Sequence, residues 1–444
     1  MRNILNISSL WRTTRQRNFC CQLCSLSKKL STAPSAESTQ NEIEINHQKY
    51  ETDNWTNVTP KIISKISRNL HQQEKHPLYY VKRRIVNYFY KTYLNNVGNP
   101  LFSIYDNISP IVTTQQNFDS LLVPNDHVSR NKSDCYYINQ KLLLRAHTTA
   151  HQSELISMGL NNFLIIGDVY RRDEIDSKHY PVFHQVDGVR ICTADEVFSN
   201  VKNSRDLQLF EHRGNENSDK QGCHSLDAVK IMEFDLKNCL VGLAQNLFGK
   251  DIQYRWVNEY FPFTHPSWEL EIFHNDQWME LLGCGIVRQE ILQKAGASER
   301  IGWAFGLGLE RLAMRLYNIP DIRIFWSTDS GFLHQFEVDN ENSPVQYKPV
   351  SVHPQCYNDI SFWLPEDGTY SSQDFYDIVR EIGGDTIEQI SLIDEFIHSK
   401  TKKTSHCYRI IYRHLERVLS QDEVNKIHRQ IENTLRDRLR ITIR

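Results

Sequence analysis

The run Gly306-Leu-Gly-Leu-Glu-Arg311 has the make-up of a phosphate cradle. Its glycines let a ligand approach the backbone closely, and a helix that follows would offer free N–H groups to an anion. An arginine at that helix start can grip a phosphate through two N–H donors or lie flat on a purine. Upstream, Arg171, Arg172, Lys178 and His179 crowd one short segment, and Phe183 follows. An arginine beside an aromatic ring at a strand end suits a nucleotide, with guanidinium on phosphate and ring on base. Each string alone also has a purely structural reading: a tight strand-to-helix turn for the first, a solvated charged turn for the second. No convincing nucleophile–base triad accompanies them, so the chemistry on offer is positioning and charge stabilisation.

The surrounding pattern predicts the elements that hold these groups. Residues 163–169 are apolar and β-favouring, and 182–191 alternate weakly, which predicts an antiparallel pair with 171–180 as its charged loop. Residues 268–273 and 278–283 predict a second pair, turned at 274–277. Residues 303–309 predict a glycine-interrupted apolar segment, followed by a helix over 310–317 that stops before Pro320. Pro77 with Tyr80, Ile85, Phe89 and Tyr93 predicts an amphipathic helix to about Leu94, with Lys82, Arg83 and Arg84 on its outer side. Beyond about Gln346 the order is strand (361–364), helix (373–382), strand (388–396), strand (405–412), helix (421–435) and a short strand (439–443). That is a split β-α-β unit of ferredoxin type, and the fold class expected is α+β.

A chain of 444 residues has room for two or three domains. Its net charge of −3 gives no global positive field, so any contact with nucleic acid must rest on local patches. No apolar run approaches the ~20 residues needed to cross a bilayer. Cys20, Cys21 and Cys24 lack the second ligand pair of a zinc site. Cys135, Cys192 and Cys284 read as small core residues in a reducing compartment. Residues 1–36 carry Arg2, Arg12, Arg15, Arg17, Lys28 and Lys29, and no acid precedes Glu37. This reads as a mitochondrial transit peptide, with a disordered basic tail as the alternative, and predicts residence in the mitochondrial matrix.

Taken in order, the strings resemble the class II aminoacyl-tRNA synthetases, and their phenylalanine-specific branch in particular. The resemblance is carried by Leu144-Arg-Ala-His-Thr-Thr-Ala-His-Gln152, Val169-Tyr-Arg-Arg-Asp-Glu, His179-Tyr-Pro-Val-Phe-His-Gln185, Tyr260-Phe-Pro-Phe263 and Trp303-Ala-Phe-Gly-Leu-Gly-Leu-Glu-Arg311, and it runs from about His76 to Arg444. It implies an antiparallel β-sheet flanked by helices, then a ferredoxin-like anticodon-binding domain. It implies an enzyme that uses ATP and Mg2+ to attach phenylalanine to tRNA(Phe) through a phenylalanyl-adenylate, without a membrane and as a monomer. The divisions expected are a leader (1–36), an extension or linker (37–75), a catalytic domain (76–326), a linker (327–350) and the anticodon-binding domain (351–444).

Carried over position by position, the resemblance implies roles. Arg171 would neutralise the α-phosphate, Phe183 would stack on adenine, and Arg311 would hold the far phosphates. Glu280 would stand near ATP and its Mg2+. Thr149, Ala150, His151 and Gln152, with His147 beside them, would line the amino-acid pocket. Lys178, His179 and Tyr180 would lie in the loop that closes over the substrate. Gln185, Val186 and Asp187 would belong to the same site, with Gln185 and Asp187 facing the ammonium. Phe261 and Phe263 would pack edge-to-face on the phenylalanine ring, and Phe305 would complete the pocket. Ala304 would gate the ring's para position, since no length is spare between core and tail for an editing domain. In the tail, Lys400, Lys402, Lys403, Arg409, Arg413 and Arg417 would meet RNA phosphates, and Tyr408 and Tyr412 would either stack on bases or pack. Two positions depart from the pattern: Asp187 and Asp173 stand where relatives often carry Glu, which shortens their reach. An adenylating enzyme that ignores tRNA, and a silent RNA-binding paralogue, are the rival readings. The RNA-binding tail speaks against the first, and the retained Arg171, Glu280 and Arg311 against the second.

Overall fold

The structure, a computed structural model, describes residues 42–199, 201, 206–349, 353–399 and 401–444. The expected leader, its three cysteines and Lys400 lie outside the described residues. A hairpin comes first: β1 (Glu42–Ile45) pairs with β2 (Gln48–Glu51) across Asn46 and His47, both left-handed. Of the extension or linker expected over 37–75, the described residues 42–75 are therefore an extension that packs on the core and not a free linker. Ile45, Val58, Ile62, Ile66 and Leu70 are buried in the main core, so a few apolar side chains dock an otherwise polar segment.

Helix α1 (Pro77–Thr92) starts where a proline occupies the first turn and the His76 ring accepts a hydrogen bond from the Leu78 N–H at 3.2 Å. Leu78, Val81, Ile85 and Phe89 line its buried face. Its charges are not all outward as expected. Lys82 is buried and paired with Asp106 at 2.7 Å. Arg84 donates to the carbonyls of Asn246 and Leu247 at the end of α2 (Leu226–Phe248), where helix carbonyls lack partners.

Seven strands make the main sheet: β3 (Ser103–Tyr105), β4 (Asn162–Tyr170), β5 (Val182–Cys192), β6 (Gln253–Phe261), β7 (Thr264–His274), β8 (Gln277–Val287) and β9 (Ile301–Gly308). Their order is β3-β4-β5-β9-β8-β7-β6, antiparallel throughout except for β3 beside β4. The β7–β8 turn places Asn275 and Asp276 at φ 52° and 59°, the backbone that a two-residue hairpin demands and that Asn and Asp tolerate. Alternation then divides β9 between two faces. Trp303, Phe305 and Leu307 enter the core with α1, α2 and α3 (Leu309–Tyr317), where the Trp303 indole donates to Asp235 at 2.8 Å. Ala304, Gly306 and Gly308 face the other way and form an open floor.

The described part of the expected linker over 327–350, residues 327–349, is likewise not free. Helix α4 (Ser330–His334) and the segment after it bury Phe332 and Phe336 against the core. The tail follows the predicted order: β10 (Cys356–Trp363), α5 (Ser372–Gly383), β11 (Ile387–Ile397), β12 (Thr404–Tyr412), α6 (Gln421–Leu439) and β13 (Thr442–Ile443), with sheet order β11-β12-β10-β13. Ser420 and Glu423 cap α6 reciprocally. Phe375, Val379, Val424, Ile431 and Leu435 of the helices cover Phe362, Tyr408, Ile410 and Tyr412 on one sheet face. Tyr408 and Tyr412 thus pack in the core and are not exposed to stack on RNA.

The tail sits directly on the charged loop of the β4–β5 pair. Buried Arg172 reaches Asp377 at 2.5 Å and Asp374 at 2.7 Å, and Arg380 donates to the carbonyl of Asp173 at 2.9 Å. The Tyr180 hydroxyl donates to Asp385 at 2.9 Å. Among the described residues no helix is long and apolar enough to cross a membrane.

Candidate active site

Two cavities open on the floor formed by β5, β9 and β8. The first, about 310 Å³, is lined by His147, Thr149, Gln152, Asp187, Phe261, Phe263 and Ala304. The second, about 300 Å³, is lined by Lys178, His179, Tyr180, Phe183, Gly308 and Arg311. Arg171, Gln185, Glu280 and Gly306 border both, so the cavities meet at a cation, an amide and a carboxylate.

Residue alternation on β5 aims Phe183, Gln185 and Asp187 at this floor. Asp187 accepts a hydrogen bond from the Thr149 hydroxyl, yet burial still pushes its carboxyl pKa up to about 6. Gly306 lies opposite it because any Cβ there would stand 2.8 Å from an Asp187 oxygen. Both amide atoms of Gln152 and the carbonyl oxygen of Gln185 are buried without a hydrogen-bond partner. Unpartnered buried polar atoms are costly, and their convergence marks a place that a polar ligand completes. Burial and the neighbouring Arg171 hold the His147 ring neutral, with its pKa near about 3. At the apolar end the rings of Phe261 and Phe263 form a near-parallel pair, with centres 5.9 Å apart and planes 12° from parallel. Gly283 makes room for it, since a Cβ there would meet the Phe261 ring at 2.8 Å.

In the second cavity the Arg171 guanidinium stands 5.1 Å from the Phe183 ring centre, and its Nε donates to the Ala146 carbonyl at 2.8 Å. Arg311 pairs with Glu280 at 2.8 Å, with both side chains about half exposed. The loop beneath is held by Asp176, which accepts from the backbone N–H groups of Lys178 and His179 and bonds the His179 ring at 2.8 Å. Glu310 ties the start of α3 to β5: one oxygen meets the His184 ring at 2.6 Å and the other accepts the His184 N–H at 2.8 Å. The start of α3, which carries Arg311, and the part of β5 that carries Phe183 are thereby fixed relative to each other.

Several expected residues stand elsewhere. Val186 points into the core on the far face of β5. His151 is buried against Arg145 at 3.0 Å, and Ala150 packs in a neighbouring cluster. Phe305 borders the first cavity, but its ring stacks on Phe89 of α1 at 5.5 Å. A one-residue shift along a strand reverses the face, which a string match does not register. Thr264, Gly283 and Cys284 in the first cavity, and Glu310 in the second, join the site without having been foreseen, while Asp173, singled out for its shortened reach, does line the second. Glu310 lay inside the quoted string, and its carboxylate beside a phosphate site was the available signal. Cys135, Cys192 and Cys284 are buried free thiols, as expected.

Among the described residues no three His, Cys, Asp or Glu side chains assemble as a metal cluster. Glu280 nevertheless acts on Glu269, whose carboxyl pKa is raised by burial and then by Glu280, Glu259 and Glu271. One or two carboxylates suit a Mg2+ ion that takes its other ligands from phosphate and water. In the tail, Lys402 is exposed in the β11–β12 turn, while Lys403 pairs with Glu366 at 2.8 Å and Arg417 with Glu423 at 3.0 Å. Arg409 is held by both oxygens of Asp359 at 2.8 and 2.9 Å. Arg413 is paired with Glu388 at 2.6 Å and about a quarter exposed.

Residues 61–206 and 225–336 match the family described as "tRNA synthetases class II core domain (F)", and 351–444 match the "Ferredoxin-fold anticodon binding domain". The class defined by this sheet and its paired cavities is the class II aminoacyl-tRNA synthetase. The chain is 57% identical over 435 residues to the probable mitochondrial phenylalanine–tRNA ligase of Drosophila melanogaster, covering 93% of this chain and 95% of that one. It is 55% identical over 390 residues to the mitochondrial phenylalanine–tRNA ligase of Mus musculus, covering 88% and 86%. For the Saccharomyces cerevisiae enzyme the values are 41% over 437 residues, covering 87% and 91%. The chain belongs to the phenylalanine–tRNA ligase family.

Proposed function

We propose that this enzyme seats phenylalanine in the first cavity and ATP in the second, and that the two react where the cavities meet. As a phenylalanine–tRNA ligase it attaches phenylalanine to tRNA(Phe) through phenylalanyl-adenylate for mitochondrial translation. The observation that carries the residue assignment is the sharing of Arg171, Gln185, Glu280 and Gly306 by both cavities.

In the first step a carboxylate oxygen of phenylalanine attacks the α-phosphorus and pyrophosphate leaves. Two anions must approach, so a preset cation at the meeting point lowers the barrier. Arg171 supplies it, anchored by Ala146 and flanked by the Phe183 ring that receives adenine. Arg311 takes the distal phosphates by exchanging its exposed pair with Glu280, a pair worth no more than about 1 kcal/mol. Asp187, steadied by Thr149, receives the ammonium, and the unpartnered amide of Gln152 and side-chain oxygen of Gln185 hydrogen-bond the polar end of the amino acid. Glu280 and Glu269 would hold Mg2+, which when bound offsets phosphate charge. In the second step a ribose hydroxyl at the tRNA 3′ end attacks the acyl carbon and AMP leaves. The phenyl ring lies along Phe261 and Phe263 with its para position toward Ala304. The catalytic core and the anticodon-binding domain are carried by one chain, which is why we assign a monomer, and the matrix is the compartment we assign.

Phenylalanine-dependent exchange of pyrophosphate into ATP tests this reading. The full chain should exchange with phenylalanine, and Arg171→Ala should lose about 10²- to 10³-fold in kcat, the usual scale for one electrostatic donor. A fully active Arg171→Ala enzyme would place the phosphate clamp elsewhere. Ala304→Gly should lower the preference for phenylalanine over tyrosine by roughly tenfold, since pocket shape alone discriminates modestly. Unchanged preference would remove Ala304 as the gate.

A further inference from the structure

Residues 207–224 fall between the two stretches that match the class II core. They form a compact Ω-loop whose ends close on each other. The Ser225 N–H donates to the Leu209 carbonyl at 2.9 Å, and the Glu211 N–H to the Cys223 carbonyl at 2.8 Å. Buried Leu209 anchors the loop in the main core. Lys220 is also buried, paired with Glu211 at 2.9 Å and donating to the His224 carbonyl at 2.8 Å. Gly214 and Gly222 pass so closely that a Cβ on either would collide with the carbonyl oxygen of the other. The loop is therefore built to hold one shape.

What it grips is the start of β7, beside the first cavity. There the ladder lapses between Thr264 and Ser267 toward both neighbours, β6 and β8. Such a lapse re-aims nearby side chains and leaves backbone groups in need of other partners. Gln221 supplies them. Its buried carboxamide donates to the carbonyls of His265 at 2.9 Å and of Val287, the last residue of β8, at 3.0 Å, and its oxygen accepts the Gln289 N–H at 2.8 Å. Gln289 is fixed in turn: its oxygen accepts from the His224 ring at 2.9 Å and its nitrogen donates to the Ser298 carbonyl at 2.8 Å. Two further ties follow. The His265 ring donates to the Asn217 carbonyl at 2.7 Å, and both oxygens of Glu216 accept from Arg288 at 3.0 Å. The Arg288 backbone N–H donates to the Phe263 carbonyl at 3.0 Å. Phe263 and Thr264, which line the first cavity, are thus bracketed by residues that the loop holds. We infer that Gln221 is a positioning residue for the phenylalanine pocket, and that 207–224 are a staple that sets where Phe263 and Thr264 stand and so how the pocket grades rings. The staple acts through the backbone and touches no substrate. This rests on the seating of phenylalanine in the first cavity.

The test is pyrophosphate exchange by full-length variants. Gln221→Leu keeps the side-chain volume and removes all three hydrogen bonds. Its KM for phenylalanine should rise roughly tenfold, since misplacing a substrate contact by ~1 Å costs up to about 10²-fold. Its KM for ATP should stay within about twofold, because the loop grips the sheet beside the first cavity. Its preference for phenylalanine over tyrosine should fall by about threefold, the modest scale of pocket shape. Glu216→Gln breaks a half-exposed pair and empties no core position. It should raise the KM for phenylalanine by about threefold, the scale of one such pair, at an unchanged melting temperature. An unchanged KM for phenylalanine in both variants would overturn the staple. Equal rises in the KM for phenylalanine and for ATP would also overturn it, since a general loosening of the fold gives that result. Should Gln221→Leu not fold, Glu216→Gln decides alone by the same criteria. Phe263→Ala separates the staple from the reading beneath it. An unchanged KM for phenylalanine in that variant would remove phenylalanine from the first cavity. A raised KM there, with parental values in the other two, would sink the staple alone.

Discussion

Asp187 is a carboxylate that burial holds close to protonation, at about 6, although Thr149 donates to it. Above that pH it is charged and can meet an ammonium. Below it, the neutral acid cannot, so kcat/KM for phenylalanine should fall about tenfold per pH unit once the pH drops below about 6. Asp187→Asn should lower kcat/KM and abolish that acid limb, whereas an identical pH profile would assign the limb elsewhere. The sign for stability is opposite. Between about 4 and about 6 the folded protein keeps a proton that the unfolded chain has lost, so this residue withdraws stability as pH rises through that window. At this scale the sequence was partly legible. Arg171, Phe183, Gln185, Asp187 and Arg311 are brought together as their strings implied. Val186 is not, because face depends on the pleat and a matching string carries no face, and Phe305 borders the first cavity with its ring turned to Phe89. The unpartnered state of Gln152 is a property of three-dimensional surroundings and has no signature in the chain.

At the scale of elements, β9 borders both cavities and the start of α3 borders the second. Gly306 and Gly308 look equivalent in the sequence but are not. A Cβ at Gly306 meets Asp187 at 2.8 Å, whereas one at Gly308 finds nothing nearer than Arg311 Cβ at 4.0 Å. Gly306→Ala should therefore displace Asp187 and raise the KM for phenylalanine roughly tenfold, an expectation built on the few-kcal/mol scale of overpacking. Gly308→Ala should leave the melting temperature unchanged. Exchange kinetics and thermal melts of the pair decide the matter, and equal behaviour would contradict the geometry. The elements themselves were readable from alternation and helical spacing, as α1 and the β4–β5 and β7–β8 pairs attest. The segments 42–75 and 327–349 were not, because their docking relies on isolated residues such as Ile45, Ile62 and Phe332 that show no period.

At the scale of the molecule, the tail and the nucleotide loop share one buried ionic network. Asp377 receives Arg172, Arg380 and the Tyr136 hydroxyl, and the first two stand 205 and 3 residues from it. A pairing across such a separation leaves no local trace in the sequence, which is why the tail read as an independent module. Asp377→Ala should destabilise the protein by about 3 kcal/mol or more, since the arginines would remain buried with fewer partners. It should also raise the KM for ATP in pyrophosphate exchange, because Arg172 adjoins Arg171 in the loop. A melt and a KM that both match the parent would show that the network is incidental. The central claim is that the two cavities are the amino-acid and nucleotide halves of one site joined at Arg171. Its most direct test is a crystal structure with a non-hydrolysable phenylalanyl-adenylate analogue whose sulfamoyl group stands for the phosphate. The phenyl ring should lie along Phe261 and Phe263, the sulfamoyl group should meet Arg171, and the adenine should stack on Phe183. An analogue bound with its linking group away from Arg171, or with ring and base exchanged between the cavities, would contradict the account.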